Sequence, residues 1–339
     1  IISYFILFSM MGIQTIGIRE VARCRDDKVV LSKTFYSILV LNLVFVLIFG
    51  TALLIAIQIV PQFAEHKTLM YIGVVKLISA LALIEWLYRG LENFKYIMIR
   101  SILVRCLYVV LVFTCIHTKE DYPIYFTLTV VIEAINGLIN CICARKHLLW
   151  VVKDICPFKY LKSAITLGGY SLFTSMYTSF NIAYLGMVTN TTEVGYYTTA
   201  TKLHSIILAL FSAFTGVMLP RVSKLLSEGR QQEFRDKISH SFSLLTYFSF
   251  PLIVLCVVFA PEVVYVISGP GYEKSAIPLV IVMPLVFIIG FEQILVIQIL
   301  MPQKKDRLIL TNSVVGATVG LMANVLLVKD MGCIGSALV

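Results

Sequence analysis

The chain has 339 residues, of which 59% are hydrophobic and only 14% are charged, and its formal net charge is +9. Soluble domains carry about 25% charged residues, because these residues cover the surface that faces water. The composition therefore excludes an ordinary soluble enzyme, a disordered chain and a secreted domain. It predicts a membrane protein with many spans.

Ten apolar runs are long enough to cross a bilayer, since about 20 helical residues span about 30 Å of hydrocarbon. Their length, without alternation of polar and apolar residues, favours helices over the strands of a barrel. An eleventh run begins near Gly332, and the pair Gly316 and Gly320 is typical of close helix packing. The ten runs are Ile1–Ile18, Thr34–Val60, Thr68–Leu91, Ile97–Ile116, Tyr122–Ala144, Ser163–Val188, Val194–Leu219, Ile238–Phe259, Ser275–Leu300 and Leu308–Val328.

Basic residues alternate between rich and poor loops along the chain. The loop Arg19–Lys33 holds five Lys or Arg residues, whereas the next loop, Pro61–Lys67, holds one. Over all ten loops the rich side holds 22 and the poor side 4. The positive-inside rule places the rich loops in the cytoplasm, where they face anionic lipid headgroups. The positive charge is then a topology signal, and we do not expect nucleic-acid binding.

The resulting topology predicts twelve spans in the complete protein. The first run crosses from outside to inside, so a protein that begins in the cytoplasm needs one more span before Ile1. A span completed from Gly332 makes twelve. We therefore expect the chain to be a fragment cut at both ends. A basic linker, 145–162, divides it into an N-terminal bundle (1–144) and a C-terminal bundle (163–339).

Weak internal similarity supports two repeats. Arg19 and Arg221 hold equivalent places after the first and seventh runs, and Glu85 and Glu292 are each the eighteenth residue of their run. This pattern is typical of transporters whose pathway lies between two repeats.

Five charged residues lie well inside the runs, where each costs about 2.5–3.5 kcal/mol on insertion scales. Lys202 lies about 12 Å from the outer end of its run and is the best candidate for binding an anionic substrate group. The alternative is that the lysine side chain extends to the membrane–water interface or forms an ion pair with a Glu. Lys76 is a second substrate-binding candidate, and for this residue the alternative is favoured. Glu133, at mid-span, is a candidate for carrying a coupling proton or sodium ion, with an interhelical hydrogen bond as the alternative.

Two further acids, Glu85 and Glu292, are weaker coupling candidates. Glu85 lies four residues before Arg89, which favours a local ion pair on one helix face. No phosphate loop, dinucleotide fingerprint, nucleophile elbow or metal-binding Cys/His set is present in the sequence. We expect no catalytic residue, no metal and no cofactor.

Five blocks of the sequence resemble bacterial O-antigen and polysaccharide flippases of the MOP superfamily (multidrug, oligosaccharidyl-lipid, polysaccharide exporters). They lie in both halves of the chain, and their order and spacing carry the likeness. The blocks are GIREVAR (17–23), EWLYRGLENFKYIMIRS (85–101), VGYYTTATKL (194–203), LPRVSKL (219–225) and FAPEVVYVISG (259–269).

The resemblance implies an all-α membrane protein, a twelve-span MOP-type transporter in two six-helix bundles, with about ten complete spans in this chain. It implies a bacterial inner-membrane flippase for undecaprenyl-diphosphate-linked oligosaccharide, driven by H⁺ or Na⁺ through alternating access. Expected partners are membrane lipids, an O-antigen polymerase and a chain-length regulator. Lys202, Arg19 and Arg221 match family blocks as substrate-binding candidates, and Arg89 lies in the strongest block.

Other functions stay open from the residues alone. A drug or cation antiporter of the same fold would need an acidic or aromatic site, and Lys202 argues against it. A membrane enzyme that polymerises sugars would need a large outer loop, whereas the outer loops here are short. A structural scaffold would not need five charges inside its spans.

Overall fold

The computed structural model describes residues 2–60, 63, 67–118, 121–150 and 153–339, without the side chains of residues 176–178. The described residues are almost entirely helical and include no strand. The chain forms two compact units, Ile1–Gly169 and Tyr170–Val339.

In the residues that the structure describes, the first unit contains seven α-helices and a short 3₁₀-helix. They are α1 (Ile2–Ser9), α2 (Ile13–Cys24), α3 (Lys28–Ile59), α4 (Lys67–Leu81), α5 (Glu85–Gly90), α6 (Phe94–Cys115), α7 (Tyr122–Ala144) and a 3₁₀-helix (Pro157–Tyr160). The boundary between the units falls inside α8 (Leu161–Val188).

The second unit continues with six α-helices and one π-helix. They are α9 (Thr191–Ser227), α10 (Gln231–Val258), α11 (Ala260–Ser268), α12 (Ala276–Val282), α13 (Leu285–Gln293), the π-helix (Ile294–Leu300) and α14 (Asp306–Leu338). A 3₁₀ turn, Glu273–Ser275, precedes α12.

The helices confirm the predicted membrane fold. Nine segments of the described residues are long and apolar enough to cross a bilayer, and they correspond to nine of the ten runs. The sixth run, Ser163–Val188, corresponds to α8, a continuous helix of 28 residues. Non-helical backbone at Gly332 (φ 56°, ψ −131°) interrupts α14 where the eleventh run was expected to begin.

Helices extend beyond the apolar runs, so several predicted loops are wrong in their bounds. The predicted loop Arg19–Lys33 is mostly helical, because α2 continues to Cys24 and keeps packing against α5. Asp27 then begins α3, its side chain accepting hydrogen bonds from the backbone N–H groups of Val29 and Val30. Only residues 25–27 remain between the two helices.

Three apolar runs are broken rather than continuous. The first breaks at Gly12, which has φ 64° and lies so close to another segment that an added Cβ would be 2.6 Å from the Ala164 carbonyl oxygen. The third breaks between α4 and α5, and the ninth breaks at Pro284 and again at the π-helix. Hydropathy counts apolar residues and does not register such breaks.

Each unit has its own packing centre. In the first, α4 packs against α3 and α7 over a core that includes Leu53, Ile57 and Leu77. In the second, α9 contacts α10, α12, α13, the π-helix and α14. Of the pair predicted to pack closely, Gly320 is buried, whereas at Gly316 the prediction is wrong, because a Cβ there would meet no described heavy atom within 4 Å.

Candidate functional site

Lys76 and Glu133 form an ion pair between two helices of the first unit. Lys76 Nζ of α4 lies 3.7 Å from Glu133 Oε2 of α7, and the two side chains are 25% and 22% exposed. The ammonium group also lies 5.9 Å from the centre of the Phe126 ring. Glu133 is twelfth of the 23 residues of α7, so the pair lies near mid-span. Such a pair holds two helices together and dissociates if the carboxylate is protonated.

Glu85 binds two guanidinium groups. Its Oε1 lies 2.7 Å from Arg89 Nη2, which confirms the predicted local ion pair, and its Oε2 lies 3.2 Å from Arg100 Nη2. Arg89 is 44% exposed whereas the Arg100 side chain is 4% exposed. Glu85 thus joins α5 to α6 through Arg100, and its role as a coupling residue stays a prediction.

Arg100 is buried, and its side chain connects three helices of the first unit. It donates to the Asn140 side-chain oxygen, which also accepts from the Tyr96 hydroxyl at 3.1 Å. The Tyr88 hydroxyl donates to the Asn140 backbone oxygen. The network joins α5, α6 and α7. Its signal in the sequence was an arginine inside an apolar run, Ile97–Ile116.

Arg19 is buried in the first unit. Its side chain is 1% exposed and its Nε lies 3.0 Å from Glu20 Oε1. A substrate-binding role for Arg19 stays a prediction, and it requires a conformation in which the guanidinium becomes accessible.

Lys202 is an exposed cation within α9. It is the twelfth residue of that helix, about 16 Å from the Thr191 end. Among the described residues it makes no ion pair, in contrast to Lys76. His204, two residues later, is 8% exposed and its Nε2 has no hydrogen-bond partner in the described part. An exposed ammonium at this depth can bind an anion.

Glu292 interacts with a neutral partner. Its carboxylate interacts with the Tyr170 hydroxyl. The neighbouring Gln293 donates to Ser212 at 3.1 Å and accepts from Thr215 at 3.3 Å. The π-helix begins at the next residue, Ile294. Helices of this type occur frequently at functional sites in proteins.

Arg221 is exposed in a groove between α9 and α10, which Lys237 and His240 also line.

The residues predicted from the sequence lie at separate positions in the structure. Lys76 pairs with Glu133, Glu85 pairs with Arg89, and Lys202, Glu292 and Arg221 occupy different positions in the second unit. Among the described residues, no cluster of three or more His, Cys, Asp or Glu side chains could hold a metal ion.

A family model described as polysaccharide biosynthesis protein matches residues 1–226 of the chain. The chain belongs to this family. The match covers both the pair at Lys76 and Glu133 and the segment of α9 that carries Lys202 and Arg221.

Two curated relatives agree with the family. The chain is 24% identical over 303 residues to a protein of Escherichia coli (strain K12) named "Putative O-antigen transporter", covering 88% of this chain and 72% of the relative. It is 23% identical over 184 residues to "Probable low-salt glycan biosynthesis flippase Agl15" of Haloferax volcanii, covering 53% of this chain and 39% of the relative.

Solved structures with a similar fold are MATE transporters. A Vibrio cholerae MATE transporter variant superposes with a TM-score of 0.79 at 15% identity, covering 99% of this chain and 82% of that one. An outward-facing MATE transporter of the MOP superfamily gives 0.78 at 14% identity, covering 99% and 80%. At these identities the likeness shows the fold alone. This family member is thus a multi-pass membrane protein with the fold of a MOP transporter.

Proposed function

We propose that this protein is a flippase that moves an undecaprenyl-diphosphate-linked O-antigen or related oligosaccharide unit from the cytoplasmic to the periplasmic leaflet. The names of the two relatives, a putative O-antigen transporter and a probable glycan biosynthesis flippase, support this substrate class. The membrane is the bacterial inner membrane, and the basic loops face the cytoplasm. The two bundles, 1–144 and 163–339, are its transport repeats.

The main support for the proposal is the position of the Lys202 ammonium group, deep within α9 and without a carboxylate partner in the described residues. An unpaired ammonium deep in a helix is costly unless an anion or water meets it. A diphosphate or an acidic sugar supplies that anion. A cation-exporting antiporter would repel its own substrate at this position.

Alternating access coupled to H⁺ or Na⁺ supplies the driving force in this proposal. Glu133 is the preferred coupling residue, because its protonation releases Lys76 and so links ion binding to the packing of α4 against α7. Glu292 is the second candidate, since its Tyr170 partner carries no charge to hold the carboxylate ionised. An O-antigen polymerase and a chain-length regulator are the proposed downstream partners.

The test uses the full-length gene in a strain that lacks its own O-unit flippase. We expect surface polysaccharide to return with the wild-type gene. Lys202→Ala should lower export at least about tenfold, because a hydrogen bond to a charged group is worth about 1.5–3 kcal/mol. Lys202→Arg should retain part of it. Lys224→Ala is the matched control, since Lys224 ion-pairs with Glu228 at the end of the same helix.

Two outcomes distinguish an error about the role of Lys202 from an error about the flippase function. Normal export by Lys202→Ala, at equal membrane abundance, would make Lys202 structural and leave the flippase in place. Failure of the wild-type gene to export any O-unit, while present in the membrane, would contradict the flippase. The MATE-like fold would then favour a drug or cation antiporter, which a drug-efflux assay in the same strain would detect.

A further inference from the structure

The groove between α9 and α10 has a composition that the proposed transport does not explain. Its cavity has a volume of about 410 Å³ and an adjoining cavity has a volume of about 700 Å³. The two cavities share Ser243 and Tyr247 on α10. Both cavities lie within the second unit.

One end of the groove is cationic. Arg221 lies six residues before the end of α9 and Lys237 six residues after the start of α10. Each is therefore about 9 Å from the turn that joins the two helices. His240 lines the same cavity, and Arg235 lines the adjoining one.

The carboxylates near this end are held by other side chains. Arg230 lies 3.1 Å from Glu228 and 2.6 Å from Glu233, and Lys224 lies 3.6 Å from Glu228. Asp236 accepts from the Gln232 side chain at 3.1 Å. In the part of the chain that the structure describes, Arg221 and Lys237 have no ion-pair partner, so the groove keeps two uncompensated positive charges.

The other end of the groove is apolar and aromatic. Phe214 lies seven residues before Arg221, and Tyr247 ten residues after Lys237, which places them about 10 Å and 15 Å deeper along their helices. Leu244 and Tyr247 are exposed, by 37% and 79%. The groove therefore has a cationic end, which suits an anionic lipid headgroup, and an apolar end, which suits an acyl chain.

We propose that this groove binds an anionic phospholipid of the surrounding bilayer. Arg221 and Lys237 hold the phosphate, as basic pockets between transmembrane helices hold acidic headgroups. The exposed Leu244 and Tyr247 lie deeper along the groove, where the acyl chains follow the phosphate. This proposal assigns Arg221 to the bilayer lipid rather than to the transported substrate, and it does not rest on the proposed function.

The test measures lipid binding to the full-length protein by native mass spectrometry. Phosphatidylglycerol and phosphatidylcholine with identical chains are titrated in parallel. We expect the wild type to prefer phosphatidylglycerol. Arg221→Gln and Lys237→Gln should each weaken that binding about fivefold, the loss expected for one basic residue near a lipid surface. Arg221→Lys keeps the charge and should retain binding.

Arg230→Gln is the matched control, because Arg230 belongs to the same turn but is already neutralised by Glu228 and Glu233. It should leave the lipid preference unchanged. Equal binding of the two lipids, or no difference between the variants and the control, would overturn the proposal. A polyprenyl diphosphate that binds more tightly than phosphatidylglycerol and loses affinity in the same variants would also overturn it, by assigning the groove to the carrier.

Discussion

Two ion pairs within the spans of the first unit join different helices. Lys76 meets Glu133 across α4 and α7, and Glu85 meets Arg100 across α5 and α6. A charge in hydrocarbon normally has such a partner or faces a cavity. Lys202 has no such partner among the described residues. We propose for this reason that it binds the anionic group of the substrate.

The pair Lys76 and Glu133 predicts a measurable coupling between two substitutions. Lys76→Met and Glu133→Gln should each destabilise the protein, because each leaves a charge or a polar group without its partner. The double variant should be less destabilised than the sum, with a coupling of about 0.5–3 kcal/mol. Thermal unfolding in detergent measures all three.

The control for this cycle pairs Lys76→Met with Glu292→Gln, because the two residues have no shared partner in the described contacts. These two effects should add. Additivity in the Lys76 and Glu133 cycle as well would contradict the ion pair.

Single residues show what the sequence could and could not predict. The sequence marks Lys76, Glu133 and Arg89 as charges in apolar surroundings, but only the i, i+4 partner of Glu85 follows from spacing. Partners on other helices depend on how the helices pack, which periodicity does not specify. Arg100 was missed as a buried residue because charges near a turn are normally solvated.

At the scale of helices, the small residue Gly17 allows α2 and α5 to approach closely. A Cβ at Gly17 would lie 2.4 Å from the Trp86 ring. Trp86 is 1% exposed, and the centre of its ring lies 5.3 Å from the centre of the Phe35 ring. The ring therefore has no room to move. The sequence placed Gly17 in a family block but gave no sign of this contact.

Gly17→Ala should destabilise the protein by about 1–3 kcal/mol, the usual cost of overpacking. Gly316→Ala is the matched control, because it also lies in a helix and its Cβ would meet open space. The control should be neutral or stabilising by up to about 1 kcal/mol, since alanine is the better helix former. Equal effects of the two substitutions on the thermal midpoint would contradict the packing of α2 on Trp86.

The described part of the linker 145–162 is attached to α3 by backbone hydrogen bonds and by an ion pair. The Ser32 hydroxyl accepts from the Leu149 backbone N–H at 2.8 Å, and the Ser37 hydroxyl accepts from the Cys156 backbone N–H at 3.1 Å. Lys33 Nζ lies 2.8 Å from Asp154 Oδ2. These contacts fix the linker to the first unit.

The hydrogen bond from Lys33 lowers the pKa of Asp154 below its ordinary value. A lowered pKa means that this contact is intact above the ordinary value and is lost as the pH falls through the lower one. Between about pH 5 and 8 the carboxylate is ionised, so tryptic cleavage after Lys153, measured relative to cleavage after Arg230, should not change with pH in this range.

Asp154→Asn removes the charge while tolerating the positive φ of 64° at this position. It should increase cleavage after Lys153, by at most about fivefold, because exposed ion pairs contribute little. Cleavage after Arg230 is the internal control. No change in Asp154→Asn would show that the backbone bonds alone hold the linker.

At the scale of the whole molecule, the number and order of the spans follow from hydropathy. Their breaks do not, because Gly12 and Pro284 act through local backbone geometry and close contacts.

The orientation of the loops is a further prediction. Alkaline phosphatase fused after Lys274 should be active, whereas the same fusion after Arg230 should be inactive. The reverse pattern would contradict a cytoplasmic location of the basic loops.

The central claim is that the protein carries a lipid-linked oligosaccharide between leaflets. The most direct measurement reconstitutes the full-length protein into vesicles that contain an undecaprenyl-diphosphate-linked oligosaccharide in both leaflets. A membrane-impermeant glycosidase then reports how much of it is accessible from outside. With the wild type and an ion gradient, we predict that the enzyme reaches nearly all of the oligosaccharide, and that Lys202→Ala slows this at least about tenfold. If only the outer-leaflet share is ever digested, as in vesicles without protein, the flippase account is contradicted.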